Sequence, residues 1–300
     1  MDSLPLGVGG LGGRTAGQMQ AGRIYALEAP IPSLRFPLIN GMLAHALSER
    51  VTATVLLRSK PEAYLAQLDT PARFDIEAAM TQRMLNVFVM QSDFQKKLFQ
   101  AGPEKMMTEL ARFGVPRGSL LVIEHAADLL NLFDLSLATR QLDVIGEWCA
   151  AMDITGLLVF SQSVGRNMVS PVDLLDSLSG MAILDQTQDG LQISFPYWQT
   201  HGQVAAGVTL PLQITDNGDY LATPMPANAT PRTLGASSLP SPRPAGGGAS
   251  PRTRHGPSAR NGFAGTRDFE GRTALAGSDT PQGILRAPMR AQRSNLQTFI

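Results

Sequence analysis

A glutamate and a histidine stand together at the end of an apolar run. Residues 119–124 read SLLVIE, which is typical of a strand buried on both faces, and His125 follows directly. Ligand sites in α/β proteins lie at the carboxyl ends of such strands, so Glu124 and His125 are candidate cofactor-binding residues. The alternative for Glu124 is that it caps the following turn. Two such residues do not make a metal site, which needs three or four ligands.

The glycine-rich start of the chain is a second place where chemistry could be sought. Gly7 to Gly13 contains five glycines, and Arg14 and Thr15 follow. A phosphate loop requires GxxxxGK[ST] between a strand and a helix, and the first lysine of this chain is Lys60. We therefore predict a flexible leader over residues 1–21.

Nucleophilic catalysis has little support in the sequence. The single cysteine, Cys149, lies on the apolar stripe of a predicted helix, where an inert core thiol is expected. No G-x-S-x-G motif is present. We predict no catalytic residue, no metal site and no enzymatic activity.

Alternating apolar patterns predict the elements that would position Glu124 and His125. Strands are expected at 23–29, 51–57, 85–90, 119–124 and 156–161, and helices from Pro37, after Ser59, from Thr70–Pro71, over 94–100 and 103–113, over 140–152 and after Ser170. Strands at 181–184, 191–195, 204–215 and 220–223 then follow, with turns at Asp189–Gly190 and 216–218. The order predicts an α/β domain over 22–223, with a mostly parallel sheet, flanking helices and closing antiparallel hairpins.

Charge divides the chain into two parts. Lys plus Arg and Asp plus Glu each number 25, which argues against a chain bound throughout to nucleic acid. The segment 224–300 has ten Arg, no Lys and three acids, so its net charge is +7 and that of the rest is −7. It is rich in Pro, Gly, Ala and Ser without strand or helix periodicity, which predicts a disordered tail. A plain linker, a basic arm and the product of a shifted reading frame are the alternatives for this tail.

The order and spacing of these segments resemble the N-terminal domain of the bacterial cellulose biosynthesis protein BcsE. The matching stretches are 63–90, 118–124, LDVIGEWCAAMDITGLLVFS at 142–161 and the hairpins over 175–222. The resemblance implies a RecA-like nucleoside triphosphatase domain that has lost catalysis. In that family, degenerate receiver-like and cyclase-like domains follow, and the last binds cyclic di-GMP through Arg-x-Gly-Asp. That motif is absent here, so cyclic di-GMP is expected only for full-length members.

Loss of catalysis also agrees with the residues themselves. The segment PIPSLRFPLINGMLAHAL at 30–47, after the first strand, has no Gly-Lys-Ser/Thr. The run 120–124 has the form of a Walker B strand, which would put Glu124 on the metal side of the site. The alternative function is accordingly a divergent nucleotide-binding RecA-like ATPase, and a third possibility is a truncated fragment without independent function.

The resemblance also implies partners. These are accessory proteins of cellulose synthase, including a small membrane-anchored protein and a cytosolic ATPase, which would recruit a cytoplasmic scaffold to the inner membrane. One cysteine, the lack of a secretory signal and the lack of an apolar run long enough to span a bilayer agree with the cytoplasm. Phe195, Tyr197 and Trp198, beside Pro196, are candidate partner contacts, and the alternative is that they belong to the core.

Overall fold

The strands of the described residues form two sheets. The computed structural model describes residues 3–11, 16–29, 31–58, 60–68, 74–90, 105, 108–161, 168–201 and 203–223. The strands are β1 (Ser3–Pro5), β2 (Val8–Gly9), β3 (Gln18–Gln20), β4 (Ile24–Glu28), β5 (Ala53–Leu57), β6 (Leu85–Val89), β7 (Leu120–Ile123), β8 (Thr155–Phe160), β9 (Gly180–Thr187), β10 (Gly190–Thr200), β11 (Gln203–Ile214) and β12 (Tyr220–Ala222). The helices with defined bounds are α1 (Pro32–Ser48), α2 (Pro61–Leu68), α3 (Ile76–Thr81) and α4 (Leu135–Met152), with 3-10 turns at Ala126–Asp128 and Pro171–Ser177.

Ten strands form the main sheet in the order β2-β12-β11-β10-β9-β4-β8-β7-β5-β6. Strands β9, β4, β8, β7, β5 and β6 are paired in parallel, whereas β9 to β12 form antiparallel hairpins. The predicted fold class, a mostly parallel α/β sheet that ends in antiparallel hairpins, is confirmed.

The parallel strands are covered on both faces, which explains their continuous apolar sequences. Every residue of β5, β7 and β8 is buried. In β4 the side chains alternate between two core layers: Tyr25 and Leu27 pack into the layer with α1, and Ile24 and Ala26 pack into the layer with α4.

The starts of helices α1 and α4 differ from the predicted ones. Helix α1 begins at Pro32, because proline at the first turn costs no backbone hydrogen bond, and Pro37, the predicted start, lies inside the helix. Helix α4 begins at Leu135, after Asp134, whose side chain accepts a hydrogen bond from the N–H of Leu137. The helix predicted after Ser170 is a 3-10 helix, and a capping box of Ser170 with Asp173 opens it.

Several other predicted helices fall on residues outside the described ones. These are 94–100, together with 103–104 and 106–107 of the predicted helix over 103–113, in which residues 108–111 are helical. The predicted start at Thr70–Pro71 also lies outside them, and α3 begins later, at Ile76.

The predicted flexible leader is wrong for the part of it that the structure describes. Strands β1 and β3 pair antiparallel, and β2 adds to the edge of the main sheet beside β12. Leu4, Leu6 and Met19 are buried in the core layer with α1. Gly7 has φ of +80°, and a Cβ there would collide with the carbonyl oxygen of Leu38 in α1. The glycine therefore serves close packing of the backbone, which the sequence pattern alone does not distinguish from flexibility.

The structure does not describe the rest of the glycine-rich segment or the C-terminal tail. Residues 12–15, which hold Gly-Gly-Arg-Thr, and the tail 224–300 fall outside the described part of the chain. None of the helices among the described residues combines the length and apolar character that crossing a bilayer requires.

Candidate functional site

The carboxyl ends of the parallel strands collect the polar side chains of the candidate site. Glu124 and His125 follow β7, Arg58 follows β5, and Ser161 follows β8. Arg35 lies in the first turns of α1, directly after β4. Because the helices after β4 and β5 and those after β7 and β8 cover opposite faces of the sheet, this edge is where ligands bind in open α/β sheets.

Glu124 is paired with Arg35 in a buried ion pair. The Nε atom of Arg35 lies 2.8 Å from Oε2 of Glu124, and the side chains are 7% and 1% exposed. Charge attraction at hydrogen-bonding distance holds the pair. Burial raises the pKa of the Glu124 carboxyl, and the Arg35 charge opposes that rise.

The position of Glu124 differs from the capping alternative considered from sequence, whereas cofactor binding by Glu124 stays a prediction. The turn at Ala126–Asp128 has no side-chain capping hydrogen bond. The carboxylate of Glu124 instead faces the guanidinium of Arg35, a residue that the sequence analysis did not single out.

Tyr64 completes the buried end of the site. Its side chain projects from α2, is 4% exposed and has its hydroxyl beside the Glu124 carboxyl. Burial and the neighbouring carboxylate raise the pKa of Tyr64 well above its ordinary value, so the hydroxyl keeps its proton.

Arg35 stands where the lysine of a phosphate-binding loop would be expected. If the motif GxxxxGK[ST] is placed from Ala29, directly after β4, then Leu34 stands at the second glycine, Arg35 at the lysine and Phe36 at the hydroxyl residue. The count from the end of the strand is the one signal in the sequence that could have identified Arg35.

The backbone of this segment is unlike a phosphate cradle. A phosphate loop holds its ligand with free backbone N–H groups and uses glycines to approach it closely. Here Pro30 and Pro32 have no N–H, and the N–H of Leu34 donates to the carbonyl of Ile31 over 3.1 Å. Arg35 therefore supplies a cation at the position of the phosphate-loop lysine, but fewer backbone N–H groups are available beside it to bind a phosphate.

His125 lies between two cavities at this edge. A cavity of about 210 Å³ is lined by Arg35, Tyr64 and Glu124, and a larger one of about 470 Å³ is lined by Arg58 and Asp128. His125 lines both cavities, and burial together with the Arg35 charge lowers its pKa, so the imidazole is neutral at pH 7. No three His, Cys, Asp or Glu side chains in the described part of the chain are grouped as metal ligands.

The predicted partner contacts are placed mainly in the core. Phe195 and Trp198 are fully buried, and the indole N–H of Trp198 donates to the carbonyl of Gln18 over 2.9 Å. Trp198 also stacks on Tyr25, with ring centroids 4.7 Å apart. Tyr197 is partly buried and donates to Oε1 of Gln199. The contact hypothesis is therefore wrong for Phe195 and Trp198, whose side chains cannot reach a partner, and the core alternative describes them.

The strand also continues past Pro196 rather than breaking there. The pairing of β10 with β9 shifts register between Ser194 and Tyr197, and β10 then extends to Thr200. A bulge of this kind absorbs a proline that cannot donate to the neighbouring strand.

Cys149 is buried in the core layer with α4, as its place on the apolar stripe predicted. Burial raises the pKa of its thiol to about 12, so the thiolate that would act as a nucleophile is scarce at neutral pH.

Comparison with known proteins gives the family. No curated protein sequence matches the chain. The family model for the N-terminal domain of the cellulose biosynthesis protein BcsE matches residues 3–220, which include all the residues of the candidate site and both halves of the sheet. The match also begins at the packed N-terminal strands, so these belong to the domain rather than to a leader. The chain therefore belongs to the BcsE family through its N-terminal domain.

Proposed function

We propose that this protein is a non-catalytic scaffold of bacterial cellulose biosynthesis, built on a degenerate RecA-like nucleoside triphosphatase domain. Membership of the BcsE family connects the chain with the cellulose synthesis machinery. The observation that supports the absence of catalysis is the buried ion pair between Arg35 and Glu124. In an active enzyme the cation at this position would face phosphate and the acid would face magnesium.

The ion pair opposes triphosphate binding in two ways. The guanidinium is already neutralised by Glu124, so an incoming phosphate would have to separate a buried pair. The same carboxylate would then repel the phosphate. With Pro30 and Pro32 removing backbone donors, few groups remain to offset this cost.

The partners of this scaffold would be cellulose synthase accessory proteins. We propose a small membrane-anchored protein and a cytosolic ATPase, which together would bring the domain from the cytoplasm to the inner membrane. Because Arg-x-Gly-Asp does not occur in the chain, we further propose that this polypeptide supports assembly without sensing cyclic di-GMP itself.

The alternative is a divergent nucleotide-binding ATPase. One observation favours it. Arg35 and Glu124 meet at the carboxyl edge of the parallel strands, and each stands as many residues after its strand, β4 or β7, as the lysine and the acid of a phosphate-binding site would.

Thermal unfolding with and without millimolar Mg-ATP distinguishes the two functions. A ligand at 100 times its Kd would stabilise the folded chain by about 2.7 kcal/mol, which is easily measured as a rise in Tm. We expect no rise, and no phosphate release above that of the buffer. A saturable rise that disappears in Arg35→Met would show nucleotide binding at this site, and phosphate release along with it would establish the ATPase alternative instead.

Co-purification from cells tests the scaffold role directly. We expect the full chain to retain accessory proteins of cellulose synthase, and Arg35→Met with Glu124→Leu to retain them equally, because both side chains are buried away from any partner. Failure of the unaltered chain to retain them would contradict the scaffold role, whatever the outcome with ATP.

A further inference from the structure

The larger cavity at the carboxyl edge has no part in the proposed scaffold role. Its volume is about 470 Å³, which is in the range of sites for small molecules. Arg58, His125 and Ser161, which follow β5, β7 and β8, all line it, so it lies at the carboxyl ends of these strands. The segment that leads into α4 supplies further lining residues, among them Asn131 and Phe133.

The charged groups among the described lining residues are paired with each other. Nη1 of Arg58 donates to Oδ1 of Asp128 over 3.2 Å. His125 is neutral at pH 7 because burial and the Arg35 charge lower its pKa. The described lining therefore carries no net charge. An anion would add an uncompensated negative charge near Asp128, so the cavity favours an uncharged ligand.

Three uncharged polar side chains of this cavity are free and can be reached from it. The imidazole of His125, the amide nitrogen of Asn131 and the hydroxyl of Ser161 make no hydrogen bond to a described residue, and all three residues are partly exposed. The rest of Asn131 is fixed, because its Oδ1 accepts from the N–H of Phe133 over 3.2 Å and its main-chain N–H donates to Oε1 of Gln141 over 2.7 Å. Its side-chain N–H groups are thus held in place and remain available to a ligand.

These groups offer a ligand more donors than acceptors. The amide of Asn131 has two N–H groups, while the neutral imidazole and the Ser161 hydroxyl have one hydrogen each. The guanidinium of Arg58 adds the N–H groups that Asp128 does not accept. The acceptors are the second imidazole nitrogen and the Ser161 oxygen. Hydroxyl groups match such a surplus without carrying charge, because each has two lone pairs and one hydrogen.

Phe133 supplies the cavity with an exposed aromatic ring. This residue is 77% exposed although it is large and apolar, and Met168 lines the same cavity. An aromatic ring that is not covered by its own chain offers a flat apolar surface to a ligand. The C–H groups on one face of a sugar ring fit such a surface, while the hydroxyls around the ring point to polar neighbours.

We propose that this cavity binds a pyranose sugar, with a C–H face of the ring on Phe133 and its hydroxyls hydrogen-bonded to Asn131, Ser161 and His125. The surplus of donors selects hydroxyl and ether oxygens, and the paired charges select against phosphate groups. This site is independent of the scaffold role, which needs no small ligand.

Saturation-transfer NMR on the full chain tests the site with four probes. Methyl glucoside and methyl galactoside carry the sugar ring and its hydroxyls, cyclohexylmethanol has a ring of the same size with a single hydroxyl, and inorganic phosphate is the charged competitor. We expect saturable binding of at least one glycoside and binding of cyclohexylmethanol about tenfold weaker or less. Inorganic phosphate should not displace the glycoside.

A matched pair of variants connects the binding to the cavity. Phe133→Ala removes the exposed ring and should weaken glycoside binding about tenfold. Leu135→Ala is the control, because Leu135 is 48% exposed at the start of α4 and does not line the cavity, and it should leave binding unchanged. Both side chains are exposed, so a difference in binding between the two variants does not come from unfolding.

A third variant tests the polar part of the site. Asn131→Asp keeps the oxygen that accepts from the N–H of Phe133 and removes the two side-chain N–H donors. It should weaken glycoside binding about tenfold or more. Unchanged binding in this variant would overturn the assignment of Asn131 as a ligand donor.

Four further results would overturn the proposal. They are no saturable binding of either glycoside, equal binding of cyclohexylmethanol, displacement of the glycoside by inorganic phosphate, and equal effects of Phe133→Ala and Leu135→Ala. The first would leave the scaffold function intact, because retention of accessory proteins in co-purification does not depend on a sugar. Loss of that retention with glycoside binding preserved would contradict the scaffold role alone, so the two failures are distinguishable.

Discussion

The parallel half of the main sheet (β4 to β8) and its antiparallel half (β9 to β12) differ in how fully their residues are buried. In the parallel half, every residue of β5, β7 and β8 is buried, because helices cover both faces. In the antiparallel half, β11 alternates irregularly between buried and exposed residues, and Val204 and Ile214 are 56% and 61% exposed. The difference teaches that coverage by helices, rather than the strand itself, decides how apolar a strand must be.

The same difference locates the candidate site. An ion pair that is nearly free of solvent, Arg35 with Glu124, lies at the end of the parallel half, where α1 and α2 close over the strand ends. The pair of Arg117 with Asp153, at the opposite ends of β7 and β8 in the same parallel half, is by contrast 70% and 52% exposed and can contribute little to stability. Four predictions test how far this contrast between the halves extends.

The largest effect is expected from breaking the buried ion pair. Arg35→Ala leaves Glu124 with an uncompensated buried charge, which should lower the free energy of unfolding by about 3–5 kcal/mol. Urea denaturation at pH 7 measures the change. The control is Arg35→Met combined with Glu124→Leu, which removes both charges and should be about as stable as the unaltered chain or more so. A single variant that costs less than about 1 kcal/mol would contradict the burial of the pair.

A matched pair of valine substitutions compares the two halves directly. Val122→Ala, in fully buried β7, removes two methyl groups and leaves a cavity, and should cost about 2–3 kcal/mol. Val204→Ala, on β11, should stay within about 0.5 kcal/mol. Both are measured by urea denaturation, and similar losses at the two sites would show that β11 is covered by something that its exposure does not reveal.

A single methyl group added at the junction between the two halves should lower the stability of the chain. A Cβ at Gly180 on β9 would lie 2.9 Å from the ring of Trp198 and 3.0 Å from that of Tyr25, so Gly180→Ala should cost about 1–3 kcal/mol. Gly146→Ala is the control, because a Cβ within α4 would meet only Ile24 at an ordinary 3.7 Å. That change should stabilise the chain by about 0.5–1 kcal/mol, and thermal unfolding of both variants checks the contrast.

The smallest effect is a pH dependence that belongs to the parallel half. The pKa of Glu124 is raised above its ordinary value of 4.5, so the folded chain holds this proton more tightly than the unfolded one. The free energy of unfolding should therefore fall as pH rises from 4.5 through the raised folded pKa, and this contribution should then stay constant.

His125 acts in the opposite direction, so the contribution of Glu124 must be isolated. The pKa of His125 is lowered below 6.5, and its contribution to stability should rise as pH rises from its folded pKa to 6.5. Subtracting the pH profile of Glu124→Gln, which keeps Arg35 beside His125, from that of the unaltered chain isolates the carboxyl of Glu124, and a difference that rises with pH would contradict the sign derived for Glu124.

Much of the sheet was predictable from local pattern. The apolar runs that became β5, β7 and β8 have no polar face, and the turn at Asp189–Gly190 joins β9 to β10 as a hairpin signal should. Helix starts were less predictable, since Pro32 and Pro37 both fit the first turn of a helix and the sequence does not decide between them. The N-terminal glycines were assigned to a flexible leader because close backbone packing leaves no periodic signal.

Only part of the candidate site was predicted from the sequence. Glu124 and His125 were identified because a strand end is visible in the sequence, whereas Arg35 was missed because its significance depends on a distant residue. By itself, the sequence determined the α/β class, the order of the elements and the acid after β7. Only the tertiary structure decided that β8 lies between β4 and β7 and that α1 carries Arg35 over their carboxyl ends to Glu124. The physical reason is that local propensity fixes each element separately, while the pairing of two charges requires the relative placement of several elements, which comes from packing of the whole sheet.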